Sequence, residues 1–424
     1  MRSVSRERSN PFRPLLGSGN TGNETETDLT GSRRGHYSVI EMLEDKAASG
    51  ISRRRWFSRL LGLLPSAGFL RGWKQGLAAP LLQSAPAQDQ PAHLQNDRVI
   101  ISPLQEVKGT ITPTARFFMR NHHDQPELSL KSWKLSIEGN VSKPLELSFS
   151  DLIESPSVGL ESVLECSGNR TGLVSNGAWE GVPMSYLLKA ASPASDATRV
   201  LLEGADSGSL MKDQPAFPFA RIVPLEKCLA PESMVALKLN GQFLPQRNGF
   251  PARALLPGWY AMDSVKWLRR IVLLGGLDWP ESYYGSGMDL LYQRWVKQGG
   301  REQVTSRVSE LLVNSGIAFP SPGENLGAGQ HSVWGFAWAG PRAIRATEVS
   351  LDKGRTWKTA KLETDSRPFT WVRWSYQWSA KPGKHTLMSR AQDGTGQWQP
   401  SRRPPERTDG YELNWYASVN CVVA

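Results

Sequence analysis

The chain has 424 residues with a formal net charge of +10, and 39% of them are hydrophobic. This length is typical of two or three domains, and the 16 tryptophans exclude a largely disordered polypeptide. The three cysteines, Cys166, Cys228 and Cys421, exclude a disulfide framework, and no Cys/His spacing typical of a zinc site occurs. Residues 1–80 hold 13 Lys and Arg against 7 Asp and Glu, so more than half of the net charge lies there. Because no aromatic–basic motif accompanies this charge, we predict that the protein binds no nucleic acid.

The first fifty residues are rich in Arg, Ser, Gly and Asn without apolar periodicity, which predicts disorder. Arg53-Arg54-Arg55 then precedes Trp56-Phe57 and an apolar run over 60–70 that Gly and Pro interrupt. This run is too short to span a bilayer, and the whole pattern resembles a twin-arginine export signal. We therefore predict a disordered N-terminus, signal and linker over 1–98, a periplasmic location, and no membrane span in the mature chain. The alternative is a basic amphipathic helix that lies on a membrane surface or on a partner.

Residues 100–277 combine short β-like runs with brief helical segments, without the regular strand–helix alternation of parallel sheets. This mixture predicts an α+β domain. The irregular, Gly-rich residues 278–330 predict a long loop that crosses to the next domain. The predicted strands are 133–139, 145–149, 200–203 and 235–239, and the predicted short helices are 183–190 and 225–228.

After residue 330 the sequence alternates between apolar and polar residues, with turn signals every 8–12 residues. Eight of the 16 tryptophans lie in this part of the chain, which suits a β-rich core. The pattern predicts a β-sandwich. Its predicted strands are 333–339, 343–351, 356–362, 370–378, 385–391 and 413–423.

Three polar clusters in the first domain are candidates for a functional site, and they occupy residues 116–123, 165–172 and 246–268. In the second cluster Cys166 follows an apolar strand and precedes Gly168 and Arg170, so the backbone can approach a ligand and the cation favours a thiolate. Arg253 and Lys266 in the third cluster have the chemistry to bind a phosphate. The alternative from the residues alone is a small buried cysteine among arginines and lysines that face solvent.

From about residue 100 to its end the chain resembles the sulfite oxidase family of molybdopterin-dependent oxidoreductases. The resemblance implies a mixed α/β molybdopterin-binding domain over 99–300 and a C-terminal Ig-like dimerisation domain over 301–424. The stretches that carry it are Phe118-Met119-Arg120-Asn121-His122, Cys166-Ser167-Gly168-Asn169-Arg170, Gly204-Ala205-Asp206, Asn248-Gly249-Phe250-Pro251-Ala252-Arg253, Ser264-Val265-Lys266-Trp267-Leu268 and, in the second domain, 349–357, 390–393 and 410–414.

The resemblance implies a Mo-molybdopterin cofactor whose metal is bound by the thiolate of Cys166, a soft ligand that suits such a metal. Cys166 and Arg120 are the implied catalytic residues, with Arg120 beside an oxyanion substrate. The implied cofactor-binding residues are Phe118, Met119, Arg120, Asn121, His122, Cys166, Asp206, Asn248, Arg253, Ser264, Val265 and Lys266.

The activity implied is oxygen-atom transfer that oxidises sulfite, or a related inorganic sulfur species, to sulfate. No haem-attachment motif occurs, so the electrons are expected to pass to an external c-type cytochrome. A homodimer is implied by the C-terminal domain. Two alternatives stay open: a sulfane dehydrogenase or an S- or N-oxide reductase on the same cofactor, and a non-catalytic binding protein that retains the fold.

The sequence departs from the family pattern at four places. Asn248 stands where a His is usual, Thr171 where a second Arg is frequent, and Asp409 where a substrate-side Arg is expected. The family's catalytic Tyr has no clear counterpart, and the candidates to replace it are Tyr283, Tyr284 and Tyr292. These departures predict a less positively charged substrate pocket. Cys228 and Cys421 are predicted to be buried thiols and not a disulfide.

Overall fold

The computed structural model of the protein describes residues 98–170, 172–209, 215–276 and 291–424. The predictions for residues 1–97, including the export signal and the linker, lie outside these ranges. Within them the chain is mostly β-structure with three α-helices, so the expected α+β mixture is strongly weighted towards strands. In the same ranges no helix has both the length and the apolar character that crossing a membrane requires.

The part of the chain before residue 277 contains twelve of the described strands. All the strands predicted there are present, except that residue 149 begins a helix instead of ending a strand. In chain order the strands are β1 (Val99–Ile100), β2 (Met119–Arg120), β3 (Leu135–Gly139), β4 (Leu145–Leu147), β5 (Val158–Glu165), β6 (Val174–Pro183), β7 (Ala197–Gly208), β8 (Phe217–Pro224), β9 (Met234–Leu239), β10 (Gln242–Phe243), β11 (Arg253–Leu255) and β12 (Leu268–Gly275).

The three α-helices are short and begin at recognisable signals. In α1 (Phe149–Glu154) the Ser148 side chain accepts a hydrogen bond from the Asp151 N–H, and the Asp151 carboxylate accepts one from the Ser148 N–H, which is a capping box. Apolar residues at helical spacing bury one face of α2 (Met184–Ala191), and α3 (Leu225–Leu229) buries Cys228. Both short helices predicted from the sequence are confirmed.

Two five-stranded sheets organise this first part of the chain. One has the order β4-β3-β12-β7-β8, in which β12 runs parallel to β3. The other has the order β10-β9-β6-β5, with β11 paired to β9. Strands β5 and β6 form an antiparallel pair that ends at Glu165 and Val174. Cys166 therefore lies at the tip of a hairpin, directly after a buried strand, as the sequence predicted.

The predicted loop over 278–330 is wrong for the described residues from 291 onward. β13 (Gln293–Gln298) and β14 (Arg301–Arg307) form an antiparallel hairpin, and β15 (Asn314–Phe319) joins the next sheet. The hairpin turns at Gly299 and Gly300, whose φ angles are 57° and 79°. Such a turn needs two residues with positive φ, so a Gly-Gly pair between β-like runs was the sequence signal that would have revealed it.

The C-terminal part is a sandwich of two sheets, as the sequence predicted. Its strands after β15 are β16 (Asn325–Leu326), β17 (Gly329–Trp338), β18 (Ile344–Ser350), β19 (Lys358–Thr359), β20 (Lys361–Leu362), β21 (Val372–Ala380), β22 (Gly383–Asp393) and β23 (Ala417–Val423). The four-stranded sheet has the order β15-β17-β21-β20, and the five-stranded sheet has the order β16-β23-β22-β18-β19.

Apolar side chains from both sheets form one buried cluster, in which Cys421 lies as a free thiol. Cys228 is likewise buried and free, which confirms the prediction for both cysteines.

Candidate active site: a cavity around Cys166

A single cavity gathers all twelve residues that the sequence singled out as cofactor-binding. It lies where the tip of the β5–β6 hairpin meets β2 and the segment between β10 and β12, and its empty volume, including the part open to solvent, is about 670 Å³. This size is ordinary for a cofactor or substrate site. The structure thus brings together residues that are up to 148 positions apart in the chain, from Phe118 to Lys266.

The Cys166 loop, defined as residues 166–170, is held by hydrogen bonds of its own and of its strands. The Cys166 N–H donates to the Leu173 carbonyl at 2.9 Å, and the Asn169 N–H donates to the Cys166 carbonyl at 2.9 Å. Burial raises the pKa of the Cys166 thiol, while the Gly168 N–H and the positive charge of Arg120 act in the opposite direction. A bound metal would complete the change to a thiolate.

One wall of the cavity carries two cations, of which Arg253 is buried and Lys266 is half-buried. The Arg253 guanidinium donates to the carbonyls of Asn248 at 3.1 Å and Ser264 at 2.7 Å, and its Nε has no partner among the described residues. The Lys266 ammonium donates to the Asn121 side-chain oxygen. Burial lowers the pKa of Arg253 to about 9 and that of Lys266 to about 7. The negative charge of Asp206 opposes the shift of Lys266 only in part. An anionic ligand would stabilise both cations further.

Asp206 is the acidic member of the cavity. Its side chain is buried, its Oδ1 has no partner among the described residues, and burial raises its pKa to about 7 against the opposing charge of Lys266. Gly204 makes room for this carboxylate, because a Cβ there would lie 2.5 Å from Asp206 Oδ1 and 2.8 Å from the Lys266 carbonyl. Asp206 Oδ1 and Asn248 Oδ1 are therefore buried hydrogen-bond acceptors with no donor among the described residues.

His122 and Tyr292 form a polar pair at the cavity wall. The Tyr292 hydroxyl lies 2.8 Å from His122 Nε2, and the imidazole stacks on Phe219 with ring centroids 4.9 Å apart. Burial first, and then the charge of Arg120, lower the pKa of His122 to about 3. Burial also raises the pKa of Tyr292 well above its usual value. At neutral pH both groups are therefore uncharged, and the hydroxyl can donate to Nε2.

Tyr292, one of the three tyrosines that the sequence offered, lines the cavity. Tyr283 and Tyr284, like Thr171, lie outside the described residues. Arg247 also lines the cavity and was missed, although it lies within the polar cluster at residues 246–268. The other lining residues that the sequence did not single out as cofactor-binding are apolar: Phe117, Leu164, Phe219, Ala261, Met262 and Trp267.

Asp409 does not line the cavity. It is buried beside Arg407, whose Nε and a terminal nitrogen donate to its carboxylate at 2.7 and 2.8 Å. It also accepts the N–H groups of Trp295 and Tyr411, each at 2.9 Å. The residue that stands in place of the expected arginine thus anchors the C-terminal segment.

Two family models match the chain, and together they cover more than half of it. The oxidoreductase molybdopterin binding domain matches residues 122–276. The Mo-co oxidoreductase dimerisation domain matches residues 305–422.

Curated relatives include the mitochondrial sulfite oxidase of Homo sapiens, 31% identical over 307 residues, which are 65% of this chain and 54% of that protein. The NADH nitrate reductase of Ulva prolifera is 30% identical over 303 residues, 63% of this chain and 35% of that enzyme. The chain spans about half the length of the sulfite oxidases it matches. Among solved structures, the sulfane dehydrogenase SoxCD from Paracoccus pantotrophus matches with a TM-score of 0.68 and 28% identity, covering 78% of this chain and 85% of that chain.

The cavity has the donors and acceptors that a molybdopterin requires. Lys266 and Arg253 are cations suited to its phosphate, and the unpaired oxygens of Asp206 and Asn248 can accept from pterin N–H groups. Cys166 faces the same space and offers a soft thiolate to the metal. The residues fit the cofactor of the matched domain. The chain therefore belongs to the sulfite oxidase family of molybdopterin-dependent oxidoreductases.

Proposed function

We propose that the protein oxidises sulfite, or a related inorganic sulfur species, to sulfate and passes the electrons to an external c-type cytochrome. The observation that carries this proposal is that Cys166 and Arg120 line the same cavity as the cations of Arg253 and Lys266, which form no ion pair with the described residues. A positive field of this kind favours an oxyanion substrate as well as an anionic cofactor. The sulfite oxidase relatives support the same chemistry.

The residues of the chain bind, orient and shield. When bound, the cofactor supplies a molybdenum centre that exchanges an oxygen atom and two electrons with the substrate. Cys166 would hold the metal, and Lys266, Arg253 and Arg247 would hold the phosphate. Arg120 is exposed at the cavity, and its charge acts on both Cys166 and His122. It would orient an incoming sulfur oxyanion towards the metal.

The apolar lining keeps water away from this exchange. Phe118, Met119 and Trp267 are buried against the cavity, so charges inside it act in a low dielectric. Because the His122 imidazole is uncharged at neutral pH, it does not compete with the Arg120 guanidinium for an anionic substrate. Tyr292 keeps its proton at neutral pH and can therefore donate a hydrogen bond but not act as a base.

Sulfane dehydrogenase activity is the second candidate, and Asp409 favours it. Asp409 is acidic and is paired with Arg407, so this position contributes no cation to the substrate pocket. A pocket with fewer cations suits a less highly charged sulfur substrate. The likeness to SoxCD over most of both chains supports this alternative.

The test is the reduction of cytochrome c by molybdenum-loaded protein, with Cys166→Ser as the matched control. Sulfite-dependent reduction that the control lacks is the expected result. Reduction with glutathione persulfide, whose sulfane sulfur carries at most one negative charge, but not with sulfite would favour the second candidate. Oxidation of a reduced viologen by nitrate, without either sulfur reaction, would contradict both.

We further propose that the protein is exported by the twin-arginine route to the periplasm and forms a homodimer through an Ig-like C-terminal domain. The arginines 53–55 before an aromatic pair support export, and the match to a dimerisation domain supports the dimer. Changing the three arginines to lysine should keep the full chain in the cytoplasmic fraction. Light scattering should give about twice the 47.0 kDa of one chain. Unchanged fractionation and a monomeric mass would contradict these two proposals separately.

A further inference from the structure

The C-terminal sandwich reaches the Cys166 loop through the buried carboxylate of Glu165. This residue directly precedes Cys166 and is 2% exposed. Its Oε1 accepts from Asn314 Nδ2 at 2.9 Å, and its Oε2 accepts from Trp338 Nε1 at 2.8 Å. Both donors belong to the sandwich, in β15 and β17, so the sandwich supplies two of the three side-chain donors to this carboxylate. The third is Asn169 Nδ2 of the loop itself, at 2.9 Å.

The donor from β15 is held in a fixed orientation. The Asn314 side-chain oxygen accepts from the Ser315 N–H at 2.9 Å and from Gln399 Nε2 at 3.1 Å. Gln399 in turn accepts from the Ala391 N–H at 3.1 Å, in the opposite sheet of the sandwich. The amide nitrogen of Asn314 is thereby turned towards Glu165, and the network ties the carboxylate to both sheets.

Two further contacts clamp the outer side of the loop. The Glu412 N–H donates to the Ser167 carbonyl at 2.7 Å. The Arg170 guanidinium lies over the Trp415 ring, 4.0 Å from its centroid. The C-terminal segment therefore touches the loop at both residues, independently of Glu165.

We propose that the C-terminal sandwich positions Cys166 for the metal, and that Glu165, Asn314 and Trp338 are positioning residues for this ligand. Glu165 forms no ion pair with the described residues, so its buried carboxyl group is held in one orientation by these three donors. Docking of the sandwich therefore fixes the backbone immediately before the thiolate. This role rests on the proposed function only in that Cys166 binds the metal, and it gives the dimerisation domain a part in the catalytic site of its own chain.

The test compares Trp338→Phe with Trp374→Phe in the full chain produced without cofactor. Both tryptophans lie on strands of the sandwich and are buried, at 2% and 0% exposure, but the Trp374 Nε1 has no hydrogen-bond partner among the described residues. Trp338→Phe removes one donor to Glu165 and keeps an aromatic ring. We expect hydrogen exchange of the Cys166 and Leu173 amides to accelerate about ten- to a hundredfold. Exchange at Val200, in β7 of the other sheet, should stay within about twofold and serves as the internal reference.

Trp374→Phe should leave the Cys166 and Leu173 amides unchanged relative to Val200. Asn314→Ala, which removes the other donor, should reproduce the local acceleration. In loaded enzyme, Trp338→Phe should lower kcat per bound metal without changing KM, since it moves the metal ligand and not the substrate cation. Equal acceleration at all three amides, or none in Trp338→Phe, would overturn the proposal. Because exchange is measured without cofactor or substrate, its result is independent of whether sulfite is the substrate.

Discussion

Two groups of charged side chains lie on either side of the Cys166 loop, and they differ in whether the chain itself supplies their partners. In the cavity group Asp206 Oδ1 and Arg253 Nε have no hydrogen-bond partner among the described residues, whereas in the C-terminal group both carboxylates are paired with guanidinium groups. The cavity group consists of Asp206, Arg253 and Lys266. The C-terminal group consists of Arg294, Arg403, Arg407, Asp409 and Glu412.

This difference in partners distinguishes charges that stabilise the fold from charges that are available to bind a ligand. Glu412 accepts from Arg294 Nε at 2.6 Å and from Arg407 at 3.0 Å, so its burial is compensated within the chain. Asp206 is equally buried, at 4% exposure, but one of its oxygens has no partner among the described residues. A buried charge without a partner lowers the free energy of unfolding of the ligand-free protein, and binding of a complementary ligand raises it again. The comparison therefore assigns one group to stability and the other to the cofactor.

Cys166→Ser should have the largest effect, because it removes the ligand around which the cavity is built. We expect turnover to fall to background, since a serine hydroxyl is a harder and far less acidic ligand than a thiol. The free energy of unfolding of the cofactor-free chain should change by less than about 1 kcal/mol, since the two side chains are nearly isosteric. Turnover per bound molybdenum equal to that of the wild type would exclude Cys166 as the metal ligand.

The same change at two equally buried acids tests the comparison directly. Glu412→Gln should lower the free energy of unfolding by about 3 kcal/mol, because it leaves Arg294 and Arg407 facing a neutral amide. Asp206→Asn should leave the stability of the cofactor-free chain unchanged, or raise it by up to about 1 kcal/mol. Urea unfolding without cofactor measures both. If Asp206→Asn were as destabilising as Glu412→Gln, the two groups would not differ in the way we argue.

Lys266→Met should weaken cofactor retention about tenfold to a hundredfold, through loss of a charge-assisted hydrogen bond. It should also change how stability depends on pH. The pKa of Lys266 is about 7 in the folded chain and about 10.4 when unfolded. The unfolded state therefore binds more protons above pH 7, and the wild type gains stability by up to about 1.4 kcal/mol per pH unit as pH rises.

The methionine variant lacks this gain. The free energy of unfolding of the cofactor-free wild type, relative to Lys266→Met, should thus rise between pH 7 and pH 9. Asp206 acts in the same direction. Its pKa of about 7 is held down by Lys266, so in the methionine variant it rises further, and the variant loses stability as pH rises above 7. Parallel pH profiles for the two proteins would show that the folded chain does not lower the pKa of Lys266.

The sequence predicted the cavity residues well because each one lies in a short segment with its own signature. Cys166 follows a strand and precedes glycine, and Arg253 and Lys266 lie in a polar run between apolar ones. These local patterns, combined with the family resemblance, located twelve of the twenty residues that line the cavity. Their individual roles stay predictions that the variants above address.

What the sequence did not reveal depends on contacts between distant segments. Glu165 meets Asn314 and Trp338 across 149 and 173 positions, and no local pattern marks such a pair. The ion cluster around Asp409 was likewise hidden, because an acid in place of an arginine predicts a loss of charge and not a new set of partners. Tyr292 lies within residues 278–330, which were predicted to be irregular, so its position could not be derived before the fold was known.

Tyr292→Phe should have the smallest effect and sharpens the contrast between charged and neutral groups in the cavity. The variant loses only the hydroxyl that lies 2.8 Å from His122 Nε2, while the ring keeps its contacts with Tyr411 and with the Arg221 guanidinium. Since both members of the pair are uncharged, losing their hydrogen bond should reduce kcat/KM by about three- to tenfold. The low pKa of His122 comes first from burial and then from Arg120, so the imidazole should stay neutral in the variant. The reduction should therefore be the same at pH 6 and pH 8 in a cytochrome c assay. A reduction confined to one end of that pH range would mean that Tyr292 controls a protonation and is not merely a hydrogen-bond donor at the cavity wall.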